Sequence, residues 1–228
     1  MSKVAISIGG SILAPNEVDV PLVKALAAML KEVSRDHQLF ITVGGGAIAR
    51  RYINACREFD ADETFLDEVG IAATRLNAAV LIAALGEDCY HQPAMDLHEA
   101  MCAAKDHQMI VMGGTHPCQT TDAVSAMLAE KVRAARLVNA TNVDGVYTAD
   151  PKKEKSAKFI DRITAQGLLD IMGKASIGAG QSYVLDPVAV KIVARSGIPA
   201  IVVNGKDVGN LRRAIIGQDF KGTLIVDK

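Results

Sequence analysis

A chain of 228 residues, half of them hydrophobic, can bury one substantial core and lies near the upper end of what a single domain holds. Aromatic residues make up 4% and tryptophan is absent, so the core has to be built from Ala, Val, Ile, Leu and Met, as where parallel strands are covered by helices on both faces. A formal charge of −1 leaves no global basic field for nucleic acid or an anionic membrane; partners are expected to be small molecules, held by locally built anion sites.

Taken in chain order, short runs rich in Val and Ile alternate with longer helical patterns. Strands are expected near Val4 to Ile8, Leu39 to Val43, Met109 to Met112, Leu137 to Ala140, Ala200 to Val203 and Thr223 to Val226. Helices are expected near Pro21 to Val33, Ala47 to Phe59, Thr64 to Leu85, Thr121 to Ala134, Ala165 to Ile171, Pro187 to Arg195 and Leu211 to Ile216. This alternation predicts an α/β fold with a mostly parallel sheet and helices as crossovers. The lysine-rich run from Asp150 to Lys158 reads as a solvated loop joining two halves.

Cys56, Cys89, Cys102 and Cys118 form no C-x-x-C pair, and the histidines do not fall at metal-ligand spacing with them, so free thiols are expected and no protein-built metal site. No apolar run is read as long enough to span a membrane, and Met1-Ser2-Lys3 passes directly into a strand pattern, leaving no room for a signal peptide. A cytoplasmic location is expected.

The chemistry lies in the placement of glycines. Gly9-Gly10-Ser11 follows the first strand, Gly44-Gly45-Gly46 the second, and Gly113-Gly114-Thr115 the run Met109 to Met112. In an open parallel sheet the carboxyl ends of the strands share one rim, where ligands bind. Glycine lets the backbone approach a phosphate and aim N–H groups at it, and the helix that follows adds its positive end. One such turn is commonly an ordinary strand-to-helix connection; three on one rim point to phosphate. Neither G-x-x-x-x-G-K-[ST] nor G-x-G-x-x-G occurs, which removes the main support for P-loop and Rossmann readings. Farther on, Asp144-Gly145 makes a tight turn after the Leu137 to Ala140 strand and returns Tyr147 and Asp150 toward the rim, either to hold a nucleoside or simply as a hairpin with a packed tyrosine.

These segments, with Thr141-Asn142-Val143-Asp144-Gly145-Val146-Tyr147 and Asp186-Pro187-x-x-x-Lys191, occur in the order seen in the amino acid kinase family, which the chain resembles over nearly its whole length. Within that family, Gly44 to Tyr52 and Gly113 to Ala123 are similar to the archaeal type of UMP kinase. The resemblance implies a three-layer αβα fold, with residues 1–135 binding the acceptor UMP and residues 136–228 binding ATP. It implies cytoplasmic phosphoryl transfer from ATP to UMP, Mg²⁺ brought with the ATP, and a homohexamer.

Carried over by residue, the resemblance makes Lys191, Gly10 and Asp144 the catalytic candidates. Gly10, Ser11, Gly46, Arg50, Thr141, Asn142, Tyr147 and Asp150 would bind ATP, the guanidinium of Arg50 pairing with phosphate. Gly45, Asp67, Thr115, His116, Pro117, Cys118, Gln119, Thr120 and Thr121 would surround UMP, with Asp67 in the first turn of its helix accepting from the ribose hydroxyls and Thr121 also able to cap the next helix. Many family members carry a lysine two residues before the first Gly-Gly; this chain has Ser7. That departure keeps a non-catalytic nucleotide-binding module open as an alternative. Isopentenyl phosphate and acylamino acid kinases are others, although the histidine associated with the isopentenyl phosphate type is absent from Gly44 to Tyr52.

Overall fold

The structure, a computed structural model, describes residues 1–149, 154, 156–174 and 184–227. Nine strands lie among them: β1 (Ser2–Ile8), β2 (His37–Val43), β3 (Met109–Met112), β4 (Arg136–Thr141), β5 (Val146–Tyr147), β6 (Phe159–Ile160), β7 (Arg162–Thr164), β8 (Ala200–Asn204) and β9 (Thr223–Val226). Seven of them form one sheet in the order β3-β2-β1-β4-β8-β9-β7, and β5 pairs with β6 as a separate antiparallel ribbon. Every pairing in the large sheet is parallel except β8 with β9.

The helices are α1 (Gly10–Leu13), α2 (Val20–Val33), α3 (Gly46–Arg57), α4 (Glu63–Leu85), α5 (Leu97–Ala103), α6 (Thr121–Val132), α7 (Ala165–Lys174), α8 (Pro187–Ser196) and α9 (Val208–Ile216). Because successive strand residues face opposite sides, the sheet feeds two cores. Val4, Ile6 and Ile8 join Leu39, Ile41 and Val43 under α2, α4 and α9. Ala5, Phe40, Ile110 and Leu137 pack on the other side under α5, α6, α7 and α8. This is the expected three-layer arrangement, with the sheet buried on both faces.

Helix starts are set by side-chain caps. Asp19, Asp62, Asp96, Thr120, Asp186 and Asp207 each accept a hydrogen bond from an N–H in the first turn. Two expectations are corrected by them. The cap of α6 is Thr120 rather than Thr121, since the Thr120 hydroxyl accepts from the Ala123 N–H at 3.1 Å. The cap of α4 is Asp62, which starts the helix before Thr64 and puts Asp67 in the second turn.

Elements the sequence pattern missed are short or polar: α1, α5, β6 as the partner of β5, and the edge strand β7, whose Arg162 and Thr164 are exposed. The expectation that no run could span a membrane also needs correction. By length and composition, Glu63–Asp88 contains an 18-residue stretch apolar enough to do so. In the fold it is a layer helix, whose Ala78, Leu81, Ile82 and Leu85 enter the core. All four cysteines are free.

Candidate active site

The first two glycine turns meet backbone to backbone where β1 and β2 end. A Cβ on Gly10 would stand 2.6 Å from the carbonyl carbon of Gly45, and one on Gly46 would stand 2.5 Å from the carbonyl carbon of Gly10. No side chain fits between the turns, and Gly46 also has φ +61°, where glycine is favoured. The turns are tied to the sheet by the Gly9 N–H donating to the Ala140 carbonyl and the Gly44 N–H to the Ile8 carbonyl, both at 2.9 Å.

Helix α4 braces this pair from the side. Its buried Asn77 donates from Nδ2 to the carbonyls of Gly44 at 2.8 Å and Gly45 at 3.1 Å. One turn earlier, the Thr74 hydroxyl accepts from the Gly114 N–H at 2.7 Å, and Arg75 donates to the carbonyls of Gly114 and Thr115. A single helix thus holds the second and third glycine turns in one frame. Sequence reasoning missed these residues; the one available signal was Asn77, a polar side chain inside an apolar helical run.

Above the turns lies a polar cleft of about 200 Å³, lined by Gly9, Gly10, Ser11, Gly44, Gly45, Gly46, Arg50, Thr121, Asp122, Asn139, Thr141 and Val184. The first residues of α3 and α6 line it, so both helices turn their positive ends inward, where an anion is favoured. At the floor, the Ser7 hydroxyl donates to Asp122 Oδ1 at 2.9 Å. Burial pushes the Asp122 carboxyl up to about 6; the Ser7 hydrogen bond works against that rise, and the charge of nearby Asp186 works with it. Asp122 was not among the expected site residues, since an acid in a first turn reads as ordinary dipole-compatible surface.

The structure gathers Gly10, Ser11, Gly45, Gly46, Arg50, Thr121 and Thr141 around this cleft. Other candidates stand apart from it. Lys191 is exposed on α8, in the second turn after its cap Asp186. Asp144 forms an ion pair with Lys221 Nζ at 2.6 Å and accepts from Asn204 Nδ2 at 3.0 Å; the Lys221 hydrogen bond holds its carboxyl below the ordinary range. That carboxylate therefore ties the turn before β5 to the segment before β9. Tyr147 packs edge-on against Phe159 with ring centroids 5.3 Å apart, the packed-tyrosine ribbon left open by the sequence, and Asn142 is exposed. Asp150 lies outside the described residues.

Of the acceptor candidates, Thr115 to Thr120 lie in the loop between β3 and α6. Asp67 reaches across from α4, its Oδ2 accepting from the Cys118 N–H at 2.8 Å, and Cys118 has φ +64°. Within the loop the Thr115 hydroxyl donates to Gln119 Oε1 at 2.7 Å, while His116 is exposed and Pro117 half-buried. The Thr120 hydroxyl is occupied as the α6 cap, which leaves Thr121 to face the cleft.

Residues 2–204 match the amino acid kinase family, and the chain belongs to it. It is 46% identical over 226 residues to the uridylate kinase of Methanocorpusculum labreanum, covering 99% of this chain and 96% of that protein. It is 47% identical over 223 residues to the uridylate kinase of Pyrococcus abyssi, covering 98% and 99%. Among solved structures, the uridylate kinase of Archaeoglobus fulgidus superposes with a TM-score of 0.89 at 42% identity, covering 99% of this chain and 100% of that one. The UMP kinase of Bacillus anthracis, at 24% identity and a TM-score of 0.82, shares the fold.

Proposed function

We propose that this chain is an ATP-dependent UMP kinase of the archaeal type, converting UMP and ATP to UDP and ADP in pyrimidine nucleotide biosynthesis. The observation that carries this reading is the contact of Gly10 with Gly44 to Gly46, which presents two backbone turns to one polar cleft. The near full-length similarity to uridylate kinases supports it.

Phosphoryl transfer asks the protein chiefly to align two anions end to end and stabilise the charge on the moving group. An oxygen of the UMP phosphate attacks the γ-phosphorus of ATP, the bond to the β–γ bridging oxygen breaks, and ADP leaves. We assign residues 1–135 to UMP and residues 136–228 to ATP. Backbone N–H groups around Gly10 and Gly46, the ends of α3 and α6, and Arg50 supply donors and positive potential. Lys191 is assigned to the transferring phosphoryl group and Asp67 to the ribose of UMP.

The cleft suits Mg²⁺ arriving with ATP. Asp122, Thr121, Thr141 and Asn139 offer hard oxygen donors, whereas the described residues contain no group of three His, Cys, Asp or Glu able to cage an ion. Mg²⁺ when bound offsets phosphate charge.

We further assign the enzyme to the cytoplasm and to a homo-oligomer, a hexamer by its likeness to UMP kinases. Apolar surface on α4 supports assembly with further copies: Phe65 and Leu76 are exposed, and an apolar groove of about 510 Å³ runs between α2 and α4 past Val20, Val23, Ala27 and Val80. A monomer mass by light scattering at working concentration would remove that assignment.

The deciding experiment measures ADP release with UMP, CMP, dUMP, acetylglutamate and isopentenyl phosphate as acceptors. Turnover with UMP above all others is expected. ATP binding without turnover on any of them would instead establish a non-catalytic module.

A further inference from the structure

Helix α4 grips the segment between β3 and α6 at two places. Near its start Asp67 accepts from the Cys118 N–H, and eight residues farther on, roughly 12 Å along the axis, Arg75 reaches the beginning of the same segment. There the third glycine turn lies flush on the helix: a Cβ on Gly113 would stand 2.8 Å from the Arg75 backbone nitrogen, and one on Gly114 3.1 Å from Ile71 Cγ1. The Thr74 hydroxyl accepts from the Gly114 N–H at 2.7 Å and donates to the Ile71 carbonyl at 2.6 Å. The Arg75 guanidinium holds the other side of this residue, Nε donating to the Gly114 carbonyl at 3.2 Å and Nη2 to the Thr115 carbonyl at 3.4 Å.

The same Nη2 donates to the Met95 carbonyl at 3.4 Å, in the segment that leads into α5. Met95 is itself held, because its N–H donates to Glu99 Oε2 at 2.8 Å, while Glu99 Oε1 accepts from the Tyr90 hydroxyl and the Gln92 amide, both at 2.9 Å. An arginine on a helix face ordinarily sends its head to water or to a carboxylate. Arg75 instead folds back on the protein. It is half-buried, no carboxylate pairs with it among the described residues, and its three donor contacts all go to backbone carbonyls. Its planar donor set spans two chain segments at once, which the single ammonium of a lysine does not. None of those carbonyls belongs to the half assigned to ATP, and Arg75 does not line the cleft.

We propose that Arg75 is a positioning residue for the acceptor nucleotide: through the Gly114 and Thr115 carbonyls it holds the acceptor loop in its binding shape before UMP arrives, and so sets both affinity and selectivity for UMP. The inference rests on the assignment of that loop to UMP and deepens it. Without the guanidinium the half-buried Thr115 carbonyl turns to water and the loop takes more conformations, which must be surrendered when the nucleotide binds. That loss falls on the acceptor and spares ATP.

The test is steady-state kinetics of the full chain with UMP and CMP as acceptors, for wild type, for Arg75→Met, which keeps the stem, and for Arg75→Lys, which keeps the charge. Arg75→Met should raise KM for UMP by roughly five- to fiftyfold, leave KM for ATP and kcat within about twofold, and narrow the ratio of kcat/KM for UMP over CMP. Arg75→Lys, able to meet one carbonyl, should recover part of each loss. A smaller fraction of folded protein would lower the rates with both acceptors in proportion, leaving their ratio and every KM unchanged. That result, or a rise in KM shared equally by ATP, would make Arg75 a brace of the fold and overturn the proposal. If Arg75→Met does not fold, Arg75→Lys carries the test: KM for UMP should rise with KM for ATP fixed, and wild-type values for both would overturn it. Failure of the wild type to turn over UMP is a separate result, visible without any variant, and would overturn the acceptor assignment and this inference with it.

Discussion

Asn77 Nδ2 lies 2.8 Å from the carbonyl oxygen of Gly44 and 3.1 Å from that of Gly45, a buried amide holding the turn that packs against Gly10. Removing it leaves the buried Gly44 carbonyl without this donor, while the half-buried Gly45 carbonyl keeps the Ala49 N–H at 3.2 Å, at a cost of about 1–3 kcal/mol. For a chain of this length, Asn77→Ala should lower Tm by roughly 2–10 °C and, because the cradle loosens, raise KM for both nucleotides. Thermal melts and steady-state kinetics check this. A stable variant with normal KM values would show that the turns hold themselves.

Arg50 is exposed and lines the cleft, where a charge-assisted bond to phosphate is worth on the order of 1.5–3 kcal/mol. Arg50→Ala should therefore reduce kcat/KM by roughly ten to a hundredfold, with partial rescue by lysine, which lacks the planar two-pronged donor set. Unchanged kinetics would return Arg50 to the solvated surface.

Because Lys191 is exposed on α8, its replacement has little packing to disturb. Lys191→Met should leave Tm close to wild type and lower kcat, as expected if the ammonium acts on the transferring phosphoryl group. In parallel, Ser7→Lys places a cation beside Asp122. A higher kcat would reveal an underfilled site, and no change would mean that another group already provides the charge.

Asp67 already spends one carboxylate oxygen on the Cys118 N–H, so a ribose contact would join the sugar to the acceptor loop through a single side chain. Asp67→Ala should raise KM for UMP by roughly ten to a hundredfold, leave KM for ATP nearly unchanged and narrow the preference for UMP over dUMP. An effect on ATP alone would reassign the residue.

Asp122 makes a prediction about pH. Its folded value of about 6 lies above the ordinary carboxylate value of 3.8, so between those limits the folded state holds a proton the unfolded state has lost. Stability should fall as pH rises through that window, by on the order of 2–3 kcal/mol, and remain lower above it. Asp122→Asn should remove this slope, matching wild type near pH 4 and exceeding it near pH 7.5 in denaturant titrations. A parallel pH dependence in the two proteins would contradict the assignment.

The glycine turns at three strand ends and the layered α/β order were legible in the sequence, because turn chemistry and hydrophobic periodicity are local properties of the chain. The same locality explains what was misplaced: Thr120 and Thr121 are equivalent as caps until a particular N–H is in reach, and β7 acquires its strand character only by pairing with β9. Tertiary structure alone decided how the site is supported. Ser7 and Asp122 are 115 residues apart, Asn77 and Gly44 are 33 apart, and Asp144 and Lys221 are 77 apart, so each pairing exists only after the sheet has set the order of its strands. An acid in a helix's first turn is surface in one fold and lines a polar cleft in another; which it becomes depends on what packs over it, and burial is not a property of a residue's neighbours in sequence.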